Sequence, residues 1–155
     1  MTDALRIDSG QDLGRSRRAL DLVLGSVAML PILGAGADVW IAPAGLAFTV
    51  SLVTIWTGVL LAFFAGVRRG LTFSELGGAR PLELLTMLWL FALGLGAVVF
   101  QSVSLSMIGL ASVALLDARA AWLREAPDYF LWFRPAQMTV ALLSLLAVLV
   151  RQHAA

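Results

Sequence analysis

Four long stretches of this chain contain no charged residue, and they constrain its fold more than any other feature. They cover residues 22–37, 39–67, 84–116 and 135–150. A helix needs about 20 apolar residues to cross a hydrocarbon core roughly 30 Å thick. Only 14% of all residues are charged, against about a quarter in a soluble domain. The sequence therefore predicts an integral membrane protein.

The third stretch determines the number of spans. Its 33 residues would form a helix of about 50 Å, too long for one crossing. Its most polar part, residues 101–106, predicts a tight hairpin between two helices. We therefore predict an all-α bundle of five transmembrane helices in one domain, residues 19–152, preceded by a cytoplasmic tail, residues 1–18. The predicted spans are about 19–37, 43–67, 81–100, 103–122 and 130–150.

Arginine positions predict the orientation of these spans. Cytoplasmic segments of membrane proteins carry an excess of basic residues. Five spans with the N-terminus inside and the C-terminus outside place ten of the eleven basic residues in the cytoplasm and leave Arg151 outside. This asymmetry favours a multi-pass protein with five crossings. The ten are Arg6, Arg15, Arg17, Arg18, Arg68, Arg69, Arg80, Arg119, Arg124 and Arg134.

Several kinds of chemistry find no support in the sequence. There is no cysteine, and the one histidine, His153, lies close to the end of the chain. Thiolate metal sites, iron–sulfur clusters and haem or zinc sites therefore lack ligands. A net charge of +1 argues against binding to nucleic acid. We predict no catalytic residue, no cofactor and no metal ion.

Two glycine-containing segments lie near predicted helix ends. Gly34-Ala35-Gly36 is interpreted as the end of the first helix. Arg68 and Arg69 lie between two glycines at the cytoplasmic end of the second helix. Arginines at such positions commonly extend their side chains to the interface and anchor the helix. The alternative is a site for an anion or a lipid headgroup.

Asp117 is predicted in mainly apolar sequence near the cytoplasmic end of the fourth helix. An ionised carboxylate in such surroundings requires a cation. We predict a structural ion pair with Arg68, Arg69 or Arg80, which are expected at the same depth. A role in proton or ion coupling is the alternative. Tyr129 begins an aromatic segment that fits the membrane interface.

Several of these residues resemble a bacterial and mitochondrial family of unknown function that includes transmembrane protein 69. The similar features are residues 63–70 at the end of the second helix, Asp117, the Ala-Pro-x-Tyr segment that ends at Tyr129, and Arg134 before the last span. Arg69 and Asp128 stand where the family usually has tryptophan. The resemblance implies five spans in an energy-transducing membrane, bacterial inner or mitochondrial inner, and implies no particular activity. We expect the bacterial inner membrane.

The functional hypotheses follow from this pattern. We expect a non-catalytic accessory or assembly subunit that lies in the lipid bilayer and packs against a larger membrane complex, respiratory or photosynthetic. Abundant small residues suited to helix packing support this hypothesis. The alternative is a small oligomeric transporter or channel with Asp117, Arg68 and Arg69 near its pathway. A membrane-embedded enzyme is the least supported, because the sequence offers few general acids or bases.

Overall fold

The computed structural model describes the backbone of residues 2–73, 81–122 and 128–154. It describes the side chains of residues 20, 22–42, 44–67, 81–120, 122 and 133–154. This part of the chain contains five α-helices and one short 3-10 helix, and no strand. The helices are α1 Thr2–Ile41, α2 Leu46–Phe73, α3 Pro81–Val99, α4 Val103–Trp122 and α5 Asp128–Ala154.

Each helix contains a segment long and apolar enough to cross a membrane. These segments are Leu22–Ile41, Leu46–Val67, Pro81–Val99, Val103–Ala120 and Phe133–Ala154. The prediction of an all-α protein with five candidate membrane helices is confirmed. The direction in which the chain crosses the membrane stays a prediction.

The chain divides into two compact units, Met1–Leu30 and Pro31–Ala155. The first unit is the greater part of α1. Its apolar side chains Leu20, Val23 and Leu24 are exposed, as expected of a helix surrounded by lipid. The Ser26 hydroxyl donates to the Leu22 carbonyl oxygen at 2.8 Å, which satisfies this polar group within its own helix.

The interpretation of Gly34-Ala35-Gly36 as the end of the first helix is wrong. The helix continues through Pro31 and both glycines to Ile41. Backbone groups in an apolar environment must be hydrogen-bonded, and a helix does this within one segment. The end of α1 lies just before Pro43 instead, because a proline disfavours helical geometry in the residue that precedes it. A 3-10 helix, Pro43–Gly45, then leads into α2.

Close backbone contact joins α2 to α3. A Cβ atom at Gly58 would lie 2.8 Å from the Gly94 carbonyl oxygen, and a Cβ at Gly94 would lie 2.9 Å from the Gly58 oxygen. Neither position can hold a larger residue without moving a helix. Small residues that permit such an approach are a common feature of helix pairs in membranes.

The hairpin predicted between the third and fourth helices is confirmed. Gln101 has a φ of 48°, the left-handed conformation that often follows the last residue of a helix. The Ser102 amide donates to the Ala97 carbonyl oxygen at 3.0 Å, which closes the end of α3. The Ser102 hydroxyl then accepts from the Leu105 amide at 3.3 Å, as an N-cap of α4.

Apolar side chains fill the centre of the second unit. Those with no exposed surface come from every helix of this unit, including the end of α1. On α4, Gly109 lies directly against the side chain of Leu61. At this level α2, α3 and α4 are therefore in direct contact. The fully buried apolar residues of this unit include Ile32, Leu61, Leu90, Leu110 and Leu145.

Candidate functional site

An ion pair joins α4 to α5 at the end of the bundle where α4 ends and α5 begins. Arg134 Nε lies 3.3 Å from Asp117 Oδ2. The side chains are only 15% and 16% exposed, so the pair is largely withdrawn from its surroundings. Breaking a pair of this kind by removing one partner leaves an uncompensated charge, whereas the intact pair is nearly neutral in energy. This geometry is suited to fixing helix positions.

The Arg134 guanidinium also contacts α2. Its Cζ atom lies 5.0 Å from the centre of the Phe64 ring, within the range of a cation–π interaction. Asp117, Arg134 and Phe64 thus connect α4, α5 and α2. We refer to these three residues as the three-helix cluster.

The predicted partners of Asp117 lie outside the described residues. The side chains of Arg68 and Arg69 are not described, although both residues belong to α2, and Arg80 lies in the segment 74–80. The side chain of Tyr129 is likewise outside the described part, and its residue lies in the first turn of α5. Their predicted roles therefore stay predictions.

The pair between Asp117 and Arg134 was not predicted, although both residues were identified separately in the sequence. A signal was present in the chain. Asp117 lies 5 residues before the end of α4 at Trp122, and Arg134 lies 6 residues after the start of α5 at Asp128. Two antiparallel helices joined by a short connection place such positions at the same height.

A second polar site lies at the opposite end of the second unit, between α1 and α2. The Thr49 hydroxyl donates to Asp38 Oδ2 at 2.5 Å, and the Thr49 side chain is 2% exposed. This pair lines a groove of about 480 Å³ between the last turns of α1 and the first turns of α2. Its lining is mainly apolar and includes Gly34, Ala35, Asp38, Gly45, Phe48 and Thr49. We call this the α1–α2 groove.

Asp38 was not predicted as a site residue. In the sequence it only separates two uncharged stretches. The signal that could have identified it is its position four residues beyond Gly34 and four before Ala42. Residues with this spacing share one face of a helix. The assumed helix end at Gly36 hid this face, because it placed Asp38 in a loop.

Hydroxyl and amide groups also make polar contacts within the second unit. The Thr54 hydroxyl is 2.8 Å from the Val50 carbonyl oxygen and 3.2 Å from Gln101 Oε1. It thereby connects α2 to the turn between α3 and α4. Gln101 Nε2 in turn donates to the Val98 oxygen at 2.8 Å. These contacts hold the turn against α2.

Gln137 on α5 is different. Both Nε2 and Oε1 of its amide are buried, and neither is hydrogen-bonded within the described part of the chain. The fully buried Thr57 hydroxyl on α2 shares this property. Polar groups that remain without a hydrogen bond in a membrane interior are energetically unfavourable. Gln137 is therefore a further position of functional interest.

A cation–π contact lies near the C-terminal end of α5. Arg151 Cζ lies 5.9 Å from the Trp40 ring, at the edge of the effective range. Nearby, a Cβ at Gly36 would lie 2.8 Å from Ser144 Cβ. The end of α1 is therefore packed directly against α5 as well as against α2.

Comparison with known proteins found no similar protein. No family model, curated protein or solved structure matches the chain.

Proposed function

We propose that this chain is a non-catalytic subunit of a larger membrane complex, acting as an accessory or assembly component. The site chemistry supports a structural role. The charges of the three-helix cluster interact with each other and with an aromatic ring. The Thr54–Gln101 contact joins a helix to a turn.

The observation that carries this proposal is the contrast between the inside and the outside of the second unit. Inside, Gly58 and Gly94 bring two helix backbones into contact. Outside, Gly34, Gly45 and Gly66 have no atom within 4 Å of the position that a Cβ would occupy. Small residues on an outward face allow another transmembrane helix to approach closely. A subunit with a filled interior and an open, small-residue exterior is suited to packing against a partner.

The proposal includes a location and an orientation. We place the protein in the bacterial inner membrane, with its N-terminus in the cytoplasm. The ten-to-one distribution of basic residues supports this orientation. The resemblance to the family of transmembrane protein 69 supports an energy-transducing membrane, where the partner would be a respiratory or photosynthetic complex.

One observation favours a second candidate function, a small oligomeric transporter or channel. The buried amide of Gln137 has unused hydrogen-bonding capacity in the described part of the bundle. A polar group of this kind can contact a passing solute, as residues that line transport pathways do. In this case the chain would work as an oligomer of itself.

Purification from native membranes in a mild detergent separates the two functions. We expect the tagged chain to co-migrate with a larger membrane protein at a fixed stoichiometry, identified by mass spectrometry. The complex should survive salt washing, because its contacts lie within the apolar phase. Recovery of the chain solely as a monomer or homo-oligomer would contradict the subunit proposal, and a homo-oligomer would favour the transporter.

A further inference from the structure

Asp38 is a carboxylate in a membrane helix, and its known contacts leave its charge unbalanced. It lies within the candidate span Leu22–Ile41, three residues before the end of α1, or about 4.5 Å along the helix axis. The Thr49 hydroxyl donates to one of its oxygens. Within the described part of the chain, Asp38 forms no ion pair. A charge in such surroundings is normally paired with an opposite charge.

Arg151 is at the same end of the second unit but faces a different side of α1. It stacks against Trp40, which follows Asp38 by two residues. Two residues correspond to a rotation of about 200° around a helix. The Trp40 side of α1 is therefore nearly opposite the Asp38 side, and Arg151 is positioned away from the groove.

The α1–α2 groove gives access to Asp38 from outside. Gly34 and Gly45 lie in its lining, and each has open space where a Cβ would be. Gly34, Asp38 and Ala42 follow one another at intervals of four residues and line the same groove. From Gly34 on α1 to Ala42, which directly follows the end of α1, they span about 12 Å, which corresponds to roughly two turns of a helix lying alongside.

We propose that the α1–α2 groove binds a transmembrane helix of a partner protein that places an arginine or lysine against Asp38. This inference rests on the proposed function and specifies the surface through which the subunit binds. The carboxylate supplies charge complementarity, and the small residues allow the partner backbone to come close. A lipid chain could fill the apolar part of the groove. A lipid chain, however, does not require the small residues that line the groove over two helical turns, whereas a closely packed helix does.

A defined peptide tests this proposal directly. The full chain is reconstituted in phosphatidylcholine vesicles with a polyleucine transmembrane peptide that carries one arginine, a turn from its end. Association is measured by energy transfer between labels on the two molecules. We expect the arginine peptide to bind about tenfold more tightly than the same peptide with glutamine, which corresponds to the 1–2 kcal/mol of a polar contact between membrane helices. Asp38→Asn should reduce its binding to the level of the glutamine peptide.

Two glycine variants provide a matched control. Gly34→Leu places a large side chain in the groove and should reduce binding of the arginine peptide as much as Asp38→Asn does. Gly66→Leu makes the same change at an exposed glycine that also has open space, but outside the groove, and should leave binding unchanged. Equal loss in both variants would overturn the assignment of the groove.

Other outcomes would refute the proposal or indicate that something other than a partner helix occupies the groove. If Asp38→Asn has no effect, or if both peptides bind equally, the proposal is wrong. If phosphatidylethanolamine abolishes binding of the arginine peptide, the groove holds a lipid ammonium group instead. If the chain associates with itself and Asp38→Asn abolishes that association, the occupant is a second copy.

The peptide assay is independent of the native partner, so the two proposals can fail separately. A stable native complex together with no peptide binding would refute the groove and leave the subunit function in place. Specific peptide binding with no native complex would refute the subunit function and leave the groove as a binding site.

Discussion

Asp117→Ala is expected to destabilise the folded protein by about 3–5 kcal/mol, the usual effect of leaving one member of a buried ion pair without its partner. The substitution removes the carboxylate that faces the Arg134 guanidinium, whose side chain is only 15% exposed. Reversible unfolding in mixed micelles of a mild detergent and dodecyl sulfate measures this change. Arg134→Ala should have a comparable effect, because it removes the cation from the same ion pair.

The double variant Asp117→Ala/Arg134→Ala should be more stable than the sum of the single effects predicts. Non-additivity of this kind measures the coupling between two residues. Arg119→Ala is the matched control, since Arg119 is an exposed arginine on the same helix. Its effect should stay within about 0.5 kcal/mol. If Asp117→Asn leaves stability unchanged and abolishes a transport activity, the structural role of Asp117 is wrong. The transporter then becomes the favoured function.

Gly58→Ala should destabilise the bundle by about 1–3 kcal/mol, the usual cost of overpacking. The added methyl group would meet the backbone carbonyl oxygen of Gly94 at 2.8 Å, and a backbone atom cannot rotate away as a side chain can. Helices α2 and α3 would have to separate. Thermal unfolding of the purified protein, followed by the fluorescence of its tryptophans, measures the loss.

Gly66→Ala makes the same substitution on the same helix at a position with no neighbour within 4 Å. We expect it to preserve the melting temperature or to raise it slightly, because alanine favours a helix by up to about 1 kcal/mol relative to glycine. Equal destabilisation by both variants would mean that loss of glycine flexibility, and not close helix contact, explains the effect of Gly58→Ala.

The boundaries of α3 and α4 could be predicted from the sequence because local signals agree there. Pro81 suits the first turn of a helix, and the polar segment after Phe100 interrupts an apolar stretch too long for one crossing. Structure and prediction therefore coincide for both helices to within one residue.

The first helix shows where such reasoning fails. Glycine and proline are strong signals of a helix end in water, but a membrane favours an unbroken helix because the backbone has no other hydrogen-bonding partner. Placing the end of α1 at Gly36 moved Asp38 out of the membrane helix. The α1–α2 groove was then impossible to predict.

The partner of Asp117 was only partly predictable, because helix lengths place Arg134 at its height but do not choose it over the other arginines. An acid in apolar sequence calls for a cation, but several arginines were expected at the depth of Asp117. The described partner, Arg134, is selected by the packing of α4 against α5 and by the Phe64 ring beneath the guanidinium. Such contacts depend on how the helices are rotated about their axes, which hydrophobicity alone leaves open.

The proposed topology has five crossings with the N-terminus inside, and labelling of single cysteines tests it most directly. The chain has no cysteine of its own, so each introduced thiol is the only site on the purified tagged chain that can carry a membrane-impermeant maleimide. Ala44→Cys and His153→Cys should react in intact cells. Ser9→Cys, Gly77→Cys and Ala126→Cys should react only after the membrane is permeabilised. Labelling of Ser9→Cys and His153→Cys from the same side would contradict an odd number of crossings, and complete reversal of the pattern would contradict the orientation.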